Sequence, residues 1–341
     1  MTDQLNTLMQ QMLPVLETDM RLAFGGPERA PAAYYGMMQY HMGWLDEELQ
    51  PITLNSGKRI RPIACLLSCA AAGGAWERAL PAGSAIEILH NFSLVHDDIE
   101  DASPTRRGRP TVYALWGEPQ AINAGDGMFT VAHLAMSRLL ERGVEPPIIV
   151  RALRRFDETA LRLTEGQFLD MDFETRDGVE VDEYLEMITG KTAVLLSLSS
   201  ELGALIAGAS PQTVAHYAAL GLNLGLAFQV IDDILGIWGD ESKTGKSAST
   251  DIITKKKTLP VLYGLQQSPA LRELYKTSGA DDHFVTAVVS ILDSVNARDF
   301  AEAQAAQYSH RALTHLEAAK PQGAAGEALQ QLAHMLLQRD N

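Results

Sequence analysis

Three aspartates, Asp97, Asp98 and Asp101, lie within the stretch Leu94-Val95-His96-Asp97-Asp98-Ile99-Glu100-Asp101. In a helix, residues three and four apart share a face, so Asp101 meets both Asp97 and Asp98 within one turn. The stretch closes an apolar helical run, 82–95, and ends at the breaker Ser103-Pro104-Thr105. Carboxylates at a helix C-terminus add to the negative end of the macrodipole, which is unfavourable. A solvated acidic helix end is the plain explanation, but the preceding run is too apolar for a solvated face. A divalent cation answers both objections, and oxygen-only ligands suit Mg2+.

A second acidic pair, Asp232-Asp233, closes another apolar run in Ala227-Phe228-Gln229-Val230-Ile231-Asp232-Asp233-Ile234-Leu235-Gly236. Two acidic helix ends facing each other across a helical bundle would clamp several Mg2+ ions. Glu165, Gln167, Asp170 and Asp172 lie on a third helix end, where solvation explains them equally well. Basic residues accompany the acidic ones. Lys58, Arg59 and Arg61 open a helix before Pro62, where backbone N–H groups and the positive helix end also attract an anion. Arg106, Arg107 and Arg109 follow the first acidic stretch. Metal ions and a diphosphate together would balance both sets.

Those groups need helices to carry them. Apolar periodicity predicts an N-terminal amphipathic helix on Leu5, Leu8, Met9, Met12, Leu13 and Leu16, and a second helix over 33–49. Further helices are expected at about 120–141, 147–170, 182–208, 211–238 and 259–267, with more in the C-terminal third. No convincing strand, short repeat or low-complexity linker appears. The 341-residue chain is 46% apolar. This reads as one all-α domain spanning 1–341. Gly203, Gly208, Gly221 and Gly225 are expected at close helix crossings.

The loop 239–258 is rich in Gly, Ser, Thr and Lys. Its Gly245-Lys246-Ser247 is no P-loop: five residues separate Gly239 from Gly245 where four are needed, and a helix precedes it. A lysine-bearing lid over a phosphate site fits better, with Lys243, Lys246, Lys255, Lys256 and Lys257 supplying charge. The net charge of −15 argues against nucleic-acid binding. Cys65 and Cys69, one turn apart, are expected as core thiols in a reducing compartment. No basic start before an apolar run marks a signal peptide, and the apolar stretch 192–209 is too short and polar to span a bilayer comfortably. A cytoplasmic protein is expected.

Taken together these motifs resemble the trans-isoprenyl diphosphate synthases, the polyprenyl synthetase family, over about 56–265. Asp97-Asp98-Ile99-Glu100-Asp101 is similar to that family's first Asp-rich motif, Asp232-Asp233-Ile234-Leu235-Gly236 to its second, and Gly57 to Pro62 to its Gly-Lys-Arg-x-Arg-Pro stretch. The resemblance implies an all-α isoprenoid synthase fold, a helical bundle around a central cavity, a homodimer, and Mg2+ held by Asp97, Asp98, Asp101 and Asp232, with Asp233 part of the catalytic set. On the order of three Mg2+ per site are implied, in electrostatic catalysis of a departing diphosphate. It implies that Lys58, Arg61, His90 and Arg107 hold the diphosphate of isopentenyl diphosphate. It implies that Arg106 binds the allylic diphosphate, with Lys191, Thr192, Gln229, Lys246 and Lys256 around it. Two departures stand out: Gly236 replaces the third aspartate of many second motifs, and Lys255 replaces a common glycine. A class I terpene cyclase would not need the second diphosphate site, and a non-catalytic subunit would lack an intact first motif.

The implied reaction ionises an allylic C–O bond, and the alkene of isopentenyl diphosphate attacks the cation. Phe92 lies five residues before Asp97, roughly 7–8 Å along a helix. A bulky Phe92 beside small Ser93 would stop the growing chain, although core packing explains Phe92 equally well. With the short first motif this resembles geranylgeranyl-type enzymes, giving a C20 product with C15 as second choice.

Overall fold

The computed structural model describes residues 3–25, 29–52, 54, 57–239, 250–276, 279 and 281–338. Its helices are α1 Gln4–Phe24, α2 Ala32–His41, α3 Ile60–Ala71, α4 Leu80–Glu100, α5 Val112–Trp116, α6 Glu118–Ser137, α7 Pro146–Thr175 and α8 Val181–Ile188. These are followed by α9 Val194–Ile206, α10 Pro211–Trp238, α11 Thr250–Ile253, α12 Leu259–Gln267, α13 Pro269–Tyr275, α14 Asp282–Ser294, α15 Ala297–Ala319 and α16 Gly323–Leu337. A π turn, Thr189–Ala193, joins α8 to α9. The fold is all-α, as the periodicity predicts. Two short strands, β1 Thr105–Arg106 and β2 Arg109–Pro110, pair antiparallel. The helix expected over 33–49 stops at His41, because Gly43 takes φ +81° and Leu49 φ +59°.

The chain forms two compact units. The first comprises 1–156, 199–214 and 320–329. Here α4 packs on α6, α3 and α1, and its first ten residues, 80–89, are all buried. Small residues set the spacing: a Cβ on Gly203 of α9 would fall 2.2 Å from the carbonyl of Cys65 on α3. Cys65 and Cys69 are buried free thiols, and burial pushes Cys69 up to about 12, so both are inert core residues. Asp19 of α1 is buried and accepts from Ser84, Arg138 and Arg142, which ties the first helix to the body of this unit.

The second unit comprises 157–198, 215–319 and 330–341. Its core joins Phe173, Tyr184, Ile188, Val230 and Ile234 to Leu259, Leu262 and Ala301. A neighbouring cluster joins Ile237 and Ile252 to Phe284, Val288 and Leu292. Helix α10 is long and apolar enough to cross a membrane by composition, but most of its apolar window is buried in the protein.

Candidate active site

In the first unit, α4 ends as its sequence predicts. Ala102 turns left-handed at φ +48°, Ser103 N–H donates to the carbonyl of Asp98 (2.9 Å) and Ala102 N–H to that of Ile99 (3.1 Å). This is a Schellman-type closure, with alanine in the place glycine usually takes. It leaves Asp97 half-buried and Asp101 exposed, while Asp98 is 1% exposed. Asp98 therefore differs from the expected metal ligand. Its Oδ1 accepts from Arg106 Nε at 2.6 Å, and its buried Oδ2 has no partner among the described residues. Burial raises its pKa, and the Arg106 guanidinium opposes that shift.

Arg106 reaches Asp98 because the chain reverses at once. Arg107 and Gly108 take φ +52° and +76° between β1 and β2, which is the left-handed pair of a two-residue hairpin loop. The hairpin was not expected, since two paired residues per strand carry no periodic signal. Arg61 Nη1 lies 3.2 Å from His90 Nε2. Burial first, then Arg61 and Arg107, hold His90 well below its ordinary value, so it is neutral and accepts from Arg61. Lys58 is exposed in the loop before α3.

Arg59 departs from the expectation that all three cations of its stretch face an anion. It takes φ +46°, is 6% exposed, and its Nη1 donates to buried Glu87 at 2.7 Å. Asn91 Nδ2 donates to the same carboxylate oxygen at 3.0 Å. Arg59 thus anchors the loop between Lys58 and Arg61 instead of serving a ligand. Charge alone could not separate it from its neighbours.

Phe92 lies against His96 (ring centroids 5.0 Å) and Phe129 of α6 (5.2 Å). Phe129 in turn meets His133, and His133 meets Phe156, so Phe92 begins a row of packed rings. Ser93 Oγ donates to the carbonyl of His90.

In the second unit, Asp233 is 3% exposed and accepts from three donors: Tyr184 Oη, Gln229 Nε2 (3.1 Å) and the Leu259 N–H (3.2 Å). Burial pushes its pKa up to about 6 against those donors and the nearby charge of Lys256. Asp233 is thus turned inward, with its carboxylate engaged by the protein, while Asp232 is half-buried. Gln229 also accepts from Thr192 Oγ1 (3.0 Å), and Lys191 pairs with Asp170. Lys191 and Thr192 stand on the π turn, a backbone irregularity common at functional sites. Gly166 makes room for it: a Cβ there would fall 2.2 Å from Lys191 N. Tyr184 gave no signal in sequence.

The two departures have local causes. A Cβ on Gly236 would fall 2.2 Å from Asp251 Oδ2, so another carboxylate already occupies the space a third motif aspartate would need. Lys255 takes φ +54°, the conformation glycine adopts freely, and its Nζ donates to the carbonyl of Tyr275 over the Phe284 ring. Lys257 Nζ donates to the carbonyls of Phe173 and Arg176. Both flanking lysines are therefore engaged elsewhere, and Lys256 is the one whose charge acts on Asp233. Lys243 and Lys246 lie outside the described residues.

No three His, Cys, Asp or Glu side chains form a ready cation cage among the described residues. The donor set nevertheless suits a hard cation that a diphosphate helps to ligate. It is all oxygen, with Asp97 and Asp101 reaching the surface at a helix end already negative.

The polyprenyl synthetase family profile matches residues 42–319. The (2E,6E)-farnesyl diphosphate synthase of Mycobacterium tuberculosis is 38% identical over 311 residues, covering 89% of this chain and 85% of that protein. The geranylgeranyl diphosphate synthase of Sulfolobus acidocaldarius is 39% identical over 290 residues, covering 84% of this chain and 88% of its own. Among solved structures, the geranylgeranyl pyrophosphate synthetase of Pyrococcus horikoshii superposes with a TM-score of 0.88 at 32% identity, covering 98% of both chains. With paired acidic helix ends, cationic partners and these matches, the chain belongs to the polyprenyl synthetase family and is a trans-prenyl diphosphate synthase.

Proposed function

We propose that this enzyme condenses isopentenyl diphosphate with an allylic diphosphate, head to tail, and releases the C20 product geranylgeranyl diphosphate. The observation that carries the length is Phe92, five residues ahead of Asp97 and backed by Phe129. At about 1.5 Å per residue that is roughly 7–8 Å from the acidic end. Ser93 beside it adds little bulk. Relatives named for both C15 and C20 products make chain length the property to measure.

In this reading Asp97, Asp101 and Asp232 hold Mg2+, which when bound supplies Lewis-acid stabilisation to the allylic diphosphate. Asp98 aims Arg106 at that same group, and Lys191, Thr192, Gln229 and Lys256 of the second unit are assigned to bind its oxygens, as is Lys246, outside the described residues. The allylic C–O bond breaks with its electron pair leaving on the diphosphate. The alkene of isopentenyl diphosphate, held by Lys58, Arg61, His90 and Arg107, forms the new C–C bond. The proton then lost passes to the departing diphosphate. Preorganised cations around a developing anion are the main source of rate in such chemistry. The apolar face of α4 keeps water from the carbocation. The enzyme works as a cytoplasmic homodimer in this reading, and Ile122 and Leu134 remain exposed on α6 for a second copy to cover.

Purified protein given Mg2+, isopentenyl diphosphate and each allylic primer is expected to yield C20 diphosphate. Phe92→Ala is expected to lengthen the product by at least one C5 unit. An unchanged product length in that variant removes Phe92 as the stop.

A further inference from the structure

Helix α2 ends at His41, and Arg109 bolts that end to the hairpin. Its guanidinium lies 3.9 Å from the Tyr40 ring centroid and donates to the carbonyls of Tyr40 (3.2 Å) and Leu45 (2.8 Å). Tyr40 Oη returns a hydrogen bond to the Pro110 carbonyl at 2.7 Å. His41 thereby becomes part of the wall of a cavity of about 170 Å³ that it shares with Asp98, Arg106, Arg107 and Arg109.

Two features of His41 stand out. Its Nε2 is buried and has no hydrogen-bond partner among the described residues. Burial and the guanidinium groups of Arg107, Arg106, Arg59 and Arg109 push its pKa down to about 3, so the ring is neutral. A buried polar group without a partner costs about 1–3 kcal/mol, and such groups are rare in native proteins. Here the orphan sits where three guanidinium groups line a cavity with one carboxylate, and that carboxylate already accepts from Arg106. An anion with several acceptor oxygens would suit this predominantly cationic lining and give the imidazole an acceptor. A neutral ring protonated on Nε2 donates to such an oxygen without adding a further repelling charge. Arg107, which the reading above assigns to isopentenyl diphosphate, lines this cavity together with His41.

We propose that His41 is a further substrate-binding residue, donating Nε2–H to the diphosphate of the non-allylic substrate. This rests on the prenyltransferase reading above.

The test varies each substrate at saturating amounts of the other. A hydrogen bond to a charged group is worth about 1.5–3 kcal/mol, so His41→Phe is expected to raise KM for isopentenyl diphosphate by about 10–100-fold. KM for the allylic diphosphate and kcat stay within about twofold, a change too small to count as a lost hydrogen bond. His41→Gln, whose amide nitrogen can stand in for Nε2, recovers most of the loss. An unchanged KM for isopentenyl diphosphate in His41→Phe, an equal rise for both substrates, or no recovery with Gln overturns the assignment. If His41→Phe does not fold, wild-type protein decides. Its His41 Nε2–H nuclear magnetic resonance, identified by its loss in His41→Gln, moves downfield when isopentenyl diphosphate is added, and a stationary signal overturns the assignment. A wild-type protein that binds isopentenyl diphosphate with that shift yet makes no prenyl product refutes the enzyme reading and leaves His41 in place.

Discussion

The same triplet, Asp-Asp-Ile, occurs near the end of α4 and near the end of α10, and the two copies are wired differently. In each, the first aspartate is half-buried and the second is buried. Asp98 faces a guanidinium, whereas Asp233 faces a phenol, an amide and a backbone N–H. Burial raises both carboxyls; the Arg106 guanidinium in direct contact opposes it at Asp98, whereas neutral donors come before the nearby charge of Lys256 at Asp233. An aspartate pair is therefore not two equivalent ligands. The second member is committed to the protein, and the commitment is ionic in one unit and neutral in the other.

The largest effect is expected at the first member of each pair. Asp97→Ala and Asp232→Ala should each lower kcat/KM by about 10²–10³-fold, the scale of removing a preorganised charge stabiliser, with little change in Tm. Normal turnover in either variant breaks the parallel between the motifs. The second members should then separate by their response to pH. Asp233 has a folded pKa of about 6 against an ordinary value of 3.8. The folded protein holds that proton more tightly than the unfolded chain, so this residue's contribution to stability falls as pH rises from about 4 to about 6, and stays low above that. That difference corresponds to about 3 kcal/mol. Asp233→Asn should therefore gain stability relative to wild type between pH 4 and pH 7, read as the difference in Tm. Asp98→Asn should show a weaker change of the same sign. Its main effect is a rise of about tenfold in KM for the allylic substrate as Arg106 loses a charged partner. Equal pH responses from the two variants contradict the difference drawn here.

The smallest effect concerns Gly236. Gly236→Asp gives the motif the third carboxylate common elsewhere, yet it should lower kcat/KM by a few-fold because Asp251 must swing aside and two like charges then meet. Adding Asp251→Asn should recover the loss. A gain from Gly236→Asp alone would show that Asp251 does not fill that place.

Helix positions and both acidic ends were legible in the sequence because apolar period and helix-end charge are local. The boundaries of α7, α10 and α12 fall close to where the pattern puts them. What was hidden depended on contacts far apart in the chain. Arg59 looks like its neighbours until Glu87, on another helix, turns it inward. Asp98 and Asp233 look like ligands until Arg106 and Tyr184 claim them. Tyr184 and His41 carry no spacing signal, since one is defined by its hydroxyl partner and the other by lacking one. Lys255 shows the reverse case, where a departure from the family pattern is explained by a backbone angle.

The turn at Thr189–Ala193 bears on how this enzyme could be recombined with its relatives. A π turn holds one residue more than the regular helix around it, so it shifts the phase of everything after it by about 100°. A chimera spliced inside 189–193, or a one-residue deletion there, would rotate the whole of α9 relative to α8 while leaving composition and hydrophobicity nearly unchanged. Crossover points belong before Val181 or after Ile206.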